Sequence, residues 1–441
     1  MPFTDSQIKR ALEVSPIAGG EAYTPAQGKL DPRTADVEVS SVSGLKNALR
    51  QNNRTIAVRD GSYDMTGEQL EVRSNTIVGY RGWNGSDGAL FHTRSGGKMG
   101  PYRYYRTFHI NGSGRLTGFR IRGHDPYNSF TRGPYDDNLS CGVKIRGQNA
   151  EIDNMEIYGT PWNCVHVHGT ASRRATANIH HNHMHKTLQL GYGYGVDFWR
   201  GWGHVHNNYF NANRHSIDGY GYHNCGYLCE DNIFGPTQNN HTVDMHCLTE
   251  NIRNNSRMST NPAHQMYHLR AGGKMVVRRN TFCFSNATAI GIRGYPYEGI
   301  DIYNNRFTHA SRPRRNPNTH RGPNVWYANN MNWSGAGVSR HPPRNSEGYP
   351  ANWVDRNNQF GATRSNYDPQ YGAPLDIAAR KPDPGSGPGG APVRPVGPIA
   401  DWADLDAGQR RAIAQQLGTT TASLTEIRNS QTQTQTAHTN G

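Results

Sequence analysis

The sequence predicts an all-β solenoid, and three observations lead to that fold class. A short motif recurs along the middle of the chain with a period of about 25 residues, which is typical of repeat proteins. Each copy alternates apolar and polar residues and then reaches asparagine, which indicates a strand followed by a bend. Glycine is abundant, with 50 residues among 441, as turn-rich β structure requires. A chain of this length can therefore form one continuous stack of coils.

The clearest copy of the motif is HVHNNYF, at His204–Phe210. Its successive copies are marked by Asn154, Asn182, Asn208, Asn232, Asn254, Asn280 and Asn305, and a further copy spans Trp353–Phe360. If every coil turns at the same place, these side chains stack about 4.8 Å apart and each amide can bond the next. The interval fits one circuit of three short strands with the turns between them. The motif therefore predicts an asparagine ladder.

This repeat spacing, together with the NNxF-type signature, resembles the right-handed parallel β-helix of the pectate-lyase-like superfamily. The resemblance covers roughly residues 37–360. It implies a right-handed parallel β-helix of about ten coils.

The chain is predicted to divide into five parts around this solenoid. Residues 1–36 form an N-terminal arm, and residues 37–372 form the β-helix domain, in which Ser40–Gln51 predicts a helical cap over the first coil. Residues 373–400 are a Pro/Gly-rich linker, and residues 401–429 carry two short helical patterns that predict a helical hairpin. Residues 430–441 have the composition of a disordered tail.

The charge of the chain indicates its partners. A formal net charge of +13 favours a polyanion, and we expect an acidic polysaccharide rather than nucleic acid. No stretch resembles a transmembrane span, and Met1–Arg10 lacks the apolar core of a signal peptide. We expect an extracellular protein, either secreted or part of a virion or cell surface. The helical hairpin would serve homo-oligomerisation or docking.

A second set of strands, between the asparagine turns, predicts the functional face. Side chains alternate between the two faces of a strand, so aligning these strands gives two outward columns. The first column is Lys144, His166, Asp197, Ser216, Asp244, His268 and Gly291; the second is Arg146, His168, Trp199, Asp218, His246, Arg270 and Arg293. Carboxylates, imidazoles and guanidinium groups concentrate in the middle of both columns, and we expect a site there.

The candidate residues of this site fall into two groups. Those with predicted catalytic roles are Asp244, His246, His268, Arg270, His215 and Asp218. Those with predicted substrate-binding roles are Lys144, Arg146, His168, Asp197, Trp199, Arg214 and Arg293. The favoured chemistry is β-elimination of a uronic-acid polysaccharide, which needs cations near the substrate carboxylate and a base for the C5 proton. Candidates are Arg270, Lys144 and Arg293 for the charge, His246, His268 and His215 for the base, and Tyr192, Tyr194 and Tyr267 for proton return to the leaving oxygen.

A second resemblance suggests a related reaction. The tripeptide Asp244–His246 is similar to the Asp-Pro-His element of mannuronan C5-epimerases, with Met245 in place of the proline. The resemblance carries over only to Asp244 and His246. It implies the same proton abstraction, followed by reprotonation from the other side.

Three further alternatives stay open. Paired carboxylates from Asp197, Asp218 and Asp244 would suit a glycoside hydrolase. A divalent ion, calcium or zinc, is a possible cofactor, and its candidate ligands are His166, His168, Asp218, Asp244 and His246. The same face could instead bind glycan without catalysis, as in a tailspike or another surface protein.

Overall fold

The strands of the described residues form three parallel sheets, and each coil of the chain contributes one strand to each sheet in turn. The computed structural model describes residues 17–94, 104–124, 139–189, 191–239, 241–246, 271–285, 287–292, 296–309, 325–327 and 353–362. Within these ranges the sheets contain eleven, nine and nine strands. The prediction of an all-β parallel β-helix is confirmed.

Within each sheet the strands stack in chain order. Sheet 1 comprises β1 (Val37–Val39), β2 (Thr55–Val58), β5 (Thr76–Val78), β8 (Arg115–Thr117), β11 (Ala150–Asp153), β14 (Ala175–His180), β17 (Gly201–His206), β20 (Gly226–Glu230), β23 (Lys274–Arg278), β26 (Gly299–Tyr303) and β29 (Trp353–Arg356). Sheet 2 comprises β3 (Ser62–Asp64), β6 (Leu90–His92), β9 (Arg120–Arg122), β12 (Glu156–Tyr158), β15 (His183–Thr187), β18 (Tyr209–Asn213), β21 (Ile233–Phe234), β24 (Thr281–Phe282) and β27 (Arg306–Phe307). Sheet 3 comprises β4 (Leu70–Val72), β7 (Tyr104–Ile110), β10 (Leu139–Ile145), β13 (Asn163–His168), β16 (Tyr194–Trp199), β19 (His215–Gly219), β22 (His241–Met245), β25 (Thr288–Ile292) and β28 (Val325–Tyr327).

An asparagine ladder fixes the turn between sheets 1 and 2. Its members are Asn182, Asn208, Asn232, Asn280, Asn305 and Asn358. The backbone N–H of each of the first five donates to the side-chain Oδ1 of the next at 2.9–3.0 Å. Their side-chain Nδ2 groups donate to the same oxygens at 3.0–3.1 Å. The ladder therefore satisfies buried backbone groups that the bend would otherwise leave unpaired.

The ladder differs from its prediction at two places. Met155, not Asn154, occupies the ladder position of its coil, because the Met155 backbone N–H donates to Asn182 Oδ1 at 3.0 Å. Asn154 instead takes the preceding left-handed position, with φ of 53°, which asparagine tolerates well. Asn232 bonds Asn280 directly, so the predicted ladder position at Asn254 is wrong.

The aromatic residue that ends the motif forms a second stack, inside the coils. Its members are Phe210, Phe234, Phe282, Phe307 and Phe360. Neighbouring ring centroids lie 4.7–5.4 Å apart, with interplanar angles of 10–16°. Near-parallel aromatic pairs contribute beyond their buried area, so this stack and the ladder hold the same turn from its two sides.

The predicted N-terminal helix is present. Helix α1 spans Val42–Ala48 and follows Ser41, whose side chain accepts a hydrogen bond from the Gly44 backbone at 3.0 Å. Leu45 is buried in the apolar core. The role of this helix as a cap over the first coil stays a prediction.

Part of the predicted N-terminal arm packs against the coils. Residues 17–36 include two short 3-10 helices, Pro25–Gln27 and Pro32–Thr34. The ring of Tyr23 stacks on His181 at 4.4 Å, and its hydroxyl donates to Asp153 at 3.1 Å. The Gly20 backbone donates to Asn154 Oδ1 at 2.7 Å. This segment is therefore attached to the turn that carries the ladder.

The other predicted parts lie outside the described residues, namely the linker at 373–400, the hairpin at 401–429 and the tail at 430–441. Among the described residues, no helix has the length and apolar character needed to cross a membrane.

Candidate active site

Three aspartates occupy one row across neighbouring strands of sheet 3. Asp197 pairs with Asp218 in the register of β16 and β19, and the pairing of Ile217 with Val243 brings Asp244 into the same row. The prediction put Ser216 in this row and Asp218 in the next, and the structure corrects it. The strand His215–Gly219 has a single inward residue, Ile217. Asp218, which follows it, pairs with Asp197, and Ser216, which precedes it, does not.

All three carboxylates are buried. The residues Asp197, Asp218 and Asp244 are 1%, 0% and 0% exposed. Neither oxygen of Asp218 accepts a hydrogen bond among the described residues, although an imidazole nitrogen lies nearby. Burying ionised carboxylates together is costly unless a proton or a cation compensates them. Such a row is therefore a candidate functional site.

Imidazoles surround the row at one end. His246 Nε2 lies between two carboxylates, 3.1 Å from Asp218 Oδ1 and 3.2 Å from Asp244 Oδ2. His215 Nε2 lies 3.6 Å from Asp244 Oδ2, and His241 Nδ1 lies 3.4 Å from it. The predicted residues His215, Asp218, Asp244 and His246 thus form one cluster, which we call the central cluster. His241 was missed, because the predicted strand began one residue later, at Thr242.

At the other end of the row, burial favours the uncharged forms of the titratable groups. Burial, and then the charge of Asp218, raise the pKa of Asp197 well above its usual range. Burial also lowers the pKa of His166 well below the usual histidine value. His166 Nε2 lies 3.5 Å from Asp197 Oδ2, and Asn163 Nδ2 donates to the same oxygen at 3.2 Å. Both shifts favour the neutral forms of Asp197 and His166 over an ion pair.

Replacing Asp197 by asparagine tests this protonation state. A carboxyl whose pKa is raised in the folded state binds more protons than it does in the unfolded chain, so it destabilises the fold as pH rises above about 4. We expect Asp197→Asn to match the wild type in thermal stability below about pH 4 and to exceed it increasingly at higher pH. Asp87→Asn is the control, because Asp87 is 84% exposed and should give no such trend. A stability difference that does not change with pH would contradict the neutral state.

Aromatic rings cover the central cluster. Tyr194 stacks on His215 with centroids 5.5 Å apart, and Tyr220 stacks on His246 at the same distance. Trp199 packs against Tyr220 at 4.5 Å. The Arg214 guanidinium donates to the Tyr194 hydroxyl at 3.2 Å. The structure therefore brings the predicted residues Trp199 and Arg214 to the cluster, together with Tyr220, which the sequence analysis did not select.

Lys144, one of the predicted cationic residues, lies at a distance from the central cluster. Lys144 pairs with His166 and His166 with Asp197, so Lys144 is three strand spacings, or about 14 Å, from Asp218. Burial lowers the pKa of Lys144 to about 8, and burial followed by the Lys144 charge lowers the pKa of His168 to about 4. Together with exposed Arg146 they form a second group along the same face, which we call the cationic end.

Three predicted site residues, His268, Arg270 and Arg293, lie outside the described residues. His268 and Arg270 were assigned to a predicted strand at Met266–Ala271, between β22 and β25. Those two strands pair directly, with Asp244 opposite Gly291, so no strand lies between them and that part of the alignment is wrong.

The central cluster also has a donor set that suits a metal ion. One ligand atom each from His215, Asp244 and His246 lies within 4.8 Å of the others. Two imidazoles and a carboxylate favour zinc over calcium, which prefers oxygen ligands alone. The predicted ligand set held His166 and His168 as well, and the described residues do not bring these two into this group. A divalent ion stays a prediction for these residues.

No protein-family model matches this chain, and a comparison with curated proteins finds no match. Among solved structures, the chain is similar to the PL6 family polysaccharide lyase Pedsa3628 from Pseudopedobacter saltans. The alignment covers 73% of this chain and 100% of that chain, with 12% sequence identity and a TM-score of 0.31. A similarity of this size does not extend to activity, and the parallel β-helix stands on the strand pairing of the chain itself.

Proposed function

We propose that this protein is an enzyme that cleaves an acidic, uronic-acid-containing polysaccharide by β-elimination at the central cluster. The observation that carries the proposal is the position of His246 Nε2 between the carboxylates of Asp218 and Asp244. An imidazole oriented by carboxylates is an effective general base. A passive spacer has no physical reason to bury three carboxylates in one row.

The groups around the cluster match the other needs of the reaction. In β-elimination a base removes the C5 proton, its electron pair forms the C4–C5 double bond, and the C4–O bond breaks as the leaving oxygen takes up a proton. His246 is the proposed base. Tyr220, half-buried and stacked on His246, is the proposed donor to the leaving oxygen. Tyr194 is less well placed, because its hydroxyl is engaged by Gly191 and Arg214.

Charge neutralisation at the scissile residue falls to Arg214 in this proposal. Its guanidinium lies at the edge of the cluster, next to Tyr194. Lys144 is too far from His246 to contact the same sugar, since four strand spacings, about 19 Å, separate their strands. The cationic end therefore serves the proposed enzyme as a remote subsite for another uronate of the same polymer. Binding energy at such a subsite can be used to position the reacting sugar.

Access to the base requires a local opening. His246 is 2% exposed, so a substrate cannot reach it unless the chain that covers it moves. A closed site of this kind excludes water and strengthens the electrostatic contacts inside it.

A glycoside hydrolase is the second candidate, and one observation favours it. Asp197 and Asp218 are paired carboxyl groups on neighbouring strands, and the raised pKa of Asp197 suits the general acid of such an enzyme. Both residues are almost fully buried, so this reading also requires an opening of the site.

One assay distinguishes these functions. The full chain is incubated with a panel of uronic-acid polysaccharides, with and without chelator, while the ultraviolet absorbance of unsaturated uronate and the reducing ends are both followed. A lyase gives both signals, and a hydrolase gives reducing ends alone. An epimerase gives neither signal but changes the uronate composition. If the polymers are unchanged, β-elimination on this panel is excluded, and non-catalytic glycan binding becomes the leading interpretation.

A further inference from the structure

A second group of metal-type ligands lies on sheet 2. It consists of Glu156 on β12 with His183 and His185 on β15. The two histidines are two positions apart on one strand, so they share a face, and Glu156 is the register partner of His183 on the neighbouring coil. Two adjacent coils thus direct three ligand side chains to one place. None of these residues was among the predicted site residues.

We propose that Glu156, His183 and His185 bind a divalent transition-metal ion such as Zn²⁺, which joins two neighbouring coils. Glu156 Oε1 lies 3.0 Å from His185 Nε2 and 3.9 Å from His183 Nδ1. All three ligand atoms are within 4.8 Å of one another. With bond lengths near 2.0–2.1 Å, ligand atoms of a tetrahedral zinc site are about 3.3 Å apart, so small side-chain rotations suffice to close the site.

The arrangement of the rings favours two imidazoles that bind one ion, rather than two charged imidazoles. The ring centroids of His183 and His185 are only 4.0 Å apart and nearly parallel, at 19°. Two protonated rings at this distance would repel each other, whereas two neutral rings can share one cation. Tyr158 stacks on His185 at 4.9 Å, and Tyr209 packs against His183 at 5.1 Å. These contacts orient the ligands before an ion arrives.

The group is partly buried and keeps some access to solvent. The side chains of Glu156 and His183 are both 24% exposed, and that of His185 is 13% exposed. Three protein ligands with solvent access leave room for water as the fourth ligand of the ion. The nearby cations have other partners. The Arg81 guanidinium donates to Asn154 Oδ1 at 2.9 Å and to the Ala18 carbonyl at 2.8 Å, and that of Arg120, the register partner of Glu156, donates to the Gly88 carbonyl at 3.1 Å.

A similar sequence pattern on sheet 1 provides a matched control. His204 and His206 also lie two positions apart, and His204 Nε2 contacts Glu230 Oε1 at 2.7 Å. Glu230 is, however, held by Arg278 and Arg279, and His206 Nε2 faces Asn178 Oδ1 at 3.0 Å. Within the described residues these side chains do not form a convergent ligand group. The same residue types without convergence should bind Zn²⁺ weakly.

The test measures individual histidines, so ions bound elsewhere, including any at the central cluster, do not affect it. The folded chain is treated with diethyl pyrocarbonate at increasing Zn²⁺, and carbethoxylation of each histidine is measured by mass spectrometry. We expect Zn²⁺ to protect His183 and His185 at lower concentration than His204 and His206. Glu156→Gln should raise the protecting concentration by at least about tenfold, whereas His204→Ala should not change it.

Bound metal after dialysis gives an independent measure on the same variants. His185→Ala should lose one Zn²⁺ per chain relative to the wild type, and His204→Ala should lose none. Equal protection of both histidine pairs, or an unchanged protecting concentration in Glu156→Gln, would overturn the proposal. The result does not depend on the proposed lyase activity, because the readout is protection of sheet 2 histidines.

Discussion

Replacing Asn208 by alanine is expected to lower the free energy of unfolding by about 3–5 kcal/mol, because several buried polar groups lose their partners at once. Asn208 Oδ1 accepts from the backbone and the side chain of Asn182, each at 3.0 Å. Its Nδ2 donates to the carbonyls of Ile179 and His206 and to Asn232 Oδ1. The residue is 0% exposed, so water cannot replace these bonds in the folded state.

Urea unfolding of the full chain measures this effect, and Asn178→Ala is the matched control. Asn178 is a half-buried residue of β14, and its Oδ1 contacts His206 Nε2 at 3.0 Å. Its replacement should cost less than about 1 kcal/mol. If both variants unfold at the same urea concentration, the ladder does not have the structural role described here. In a stacked repeat the loss is expected to reach neighbouring coils, because each coil is supported only by the two beside it.

The ladder explains why the fold could be predicted from sequence. An amide that must bond its equivalent in the next coil repeats in the sequence at the interval of one coil, and this makes the period visible. The same logic accounts for the stacked phenylalanines, which follow the ladder residue at a fixed offset. Both signals come from local contacts between equivalent positions of adjacent coils.

Two ladder positions were predicted wrongly because the sequence motif repeats there but the structural repeat does not. Asn154 was selected because it is asparagine, but its coil carries Met155 at the ladder position. The motif around Asn254 has the right spacing, yet Asn232 bonds Asn280 directly. Sequence similarity cannot reveal which copies pair, because strand pairing is a contact between distant residues. The same limitation produced the extra strand assigned to His268 and Arg270.

Only part of the site was predicted correctly, because strand alignment from sequence is again ambiguous. Alternation of inward and outward residues correctly placed Asp197 and Asp244 in the same outward line of residues across the strands. The strand register confirms this placement. It failed for Asp218, since a strand with a single inward residue can be aligned in two ways. The position of His246 between Asp218 and Asp244 depends on side-chain rotamers, which no residue pattern specifies.

The second large effect concerns catalysis. His246→Ala is expected to lower kcat for β-elimination by about a thousand-fold, with little change in KM, because a general base contributes mainly to the chemical step. The measurement is the rate of unsaturated uronate formation at saturating polysaccharide. His223→Ala is the control, since His223 has a side chain that is 65% exposed and contacts only Glu298, at 3.7 Å, among the described ion-pair partners. That variant should keep the wild-type rate.

A loss of rate in His246→Ala must be separated from a loss of fold. Removing His246 leaves Asp218 and Asp244 without the imidazole between them, and buried carboxylates that lose a partner destabilise a protein by several kcal/mol. His246→Gln keeps a polar side chain that can donate to one carboxylate but cannot act as a base near neutral pH. We expect this variant to stay folded by thermal melting and still to lose about a thousand-fold in kcat. A folded His246→Gln protein with wild-type turnover would remove His246 as the base and leave the central cluster a structural role.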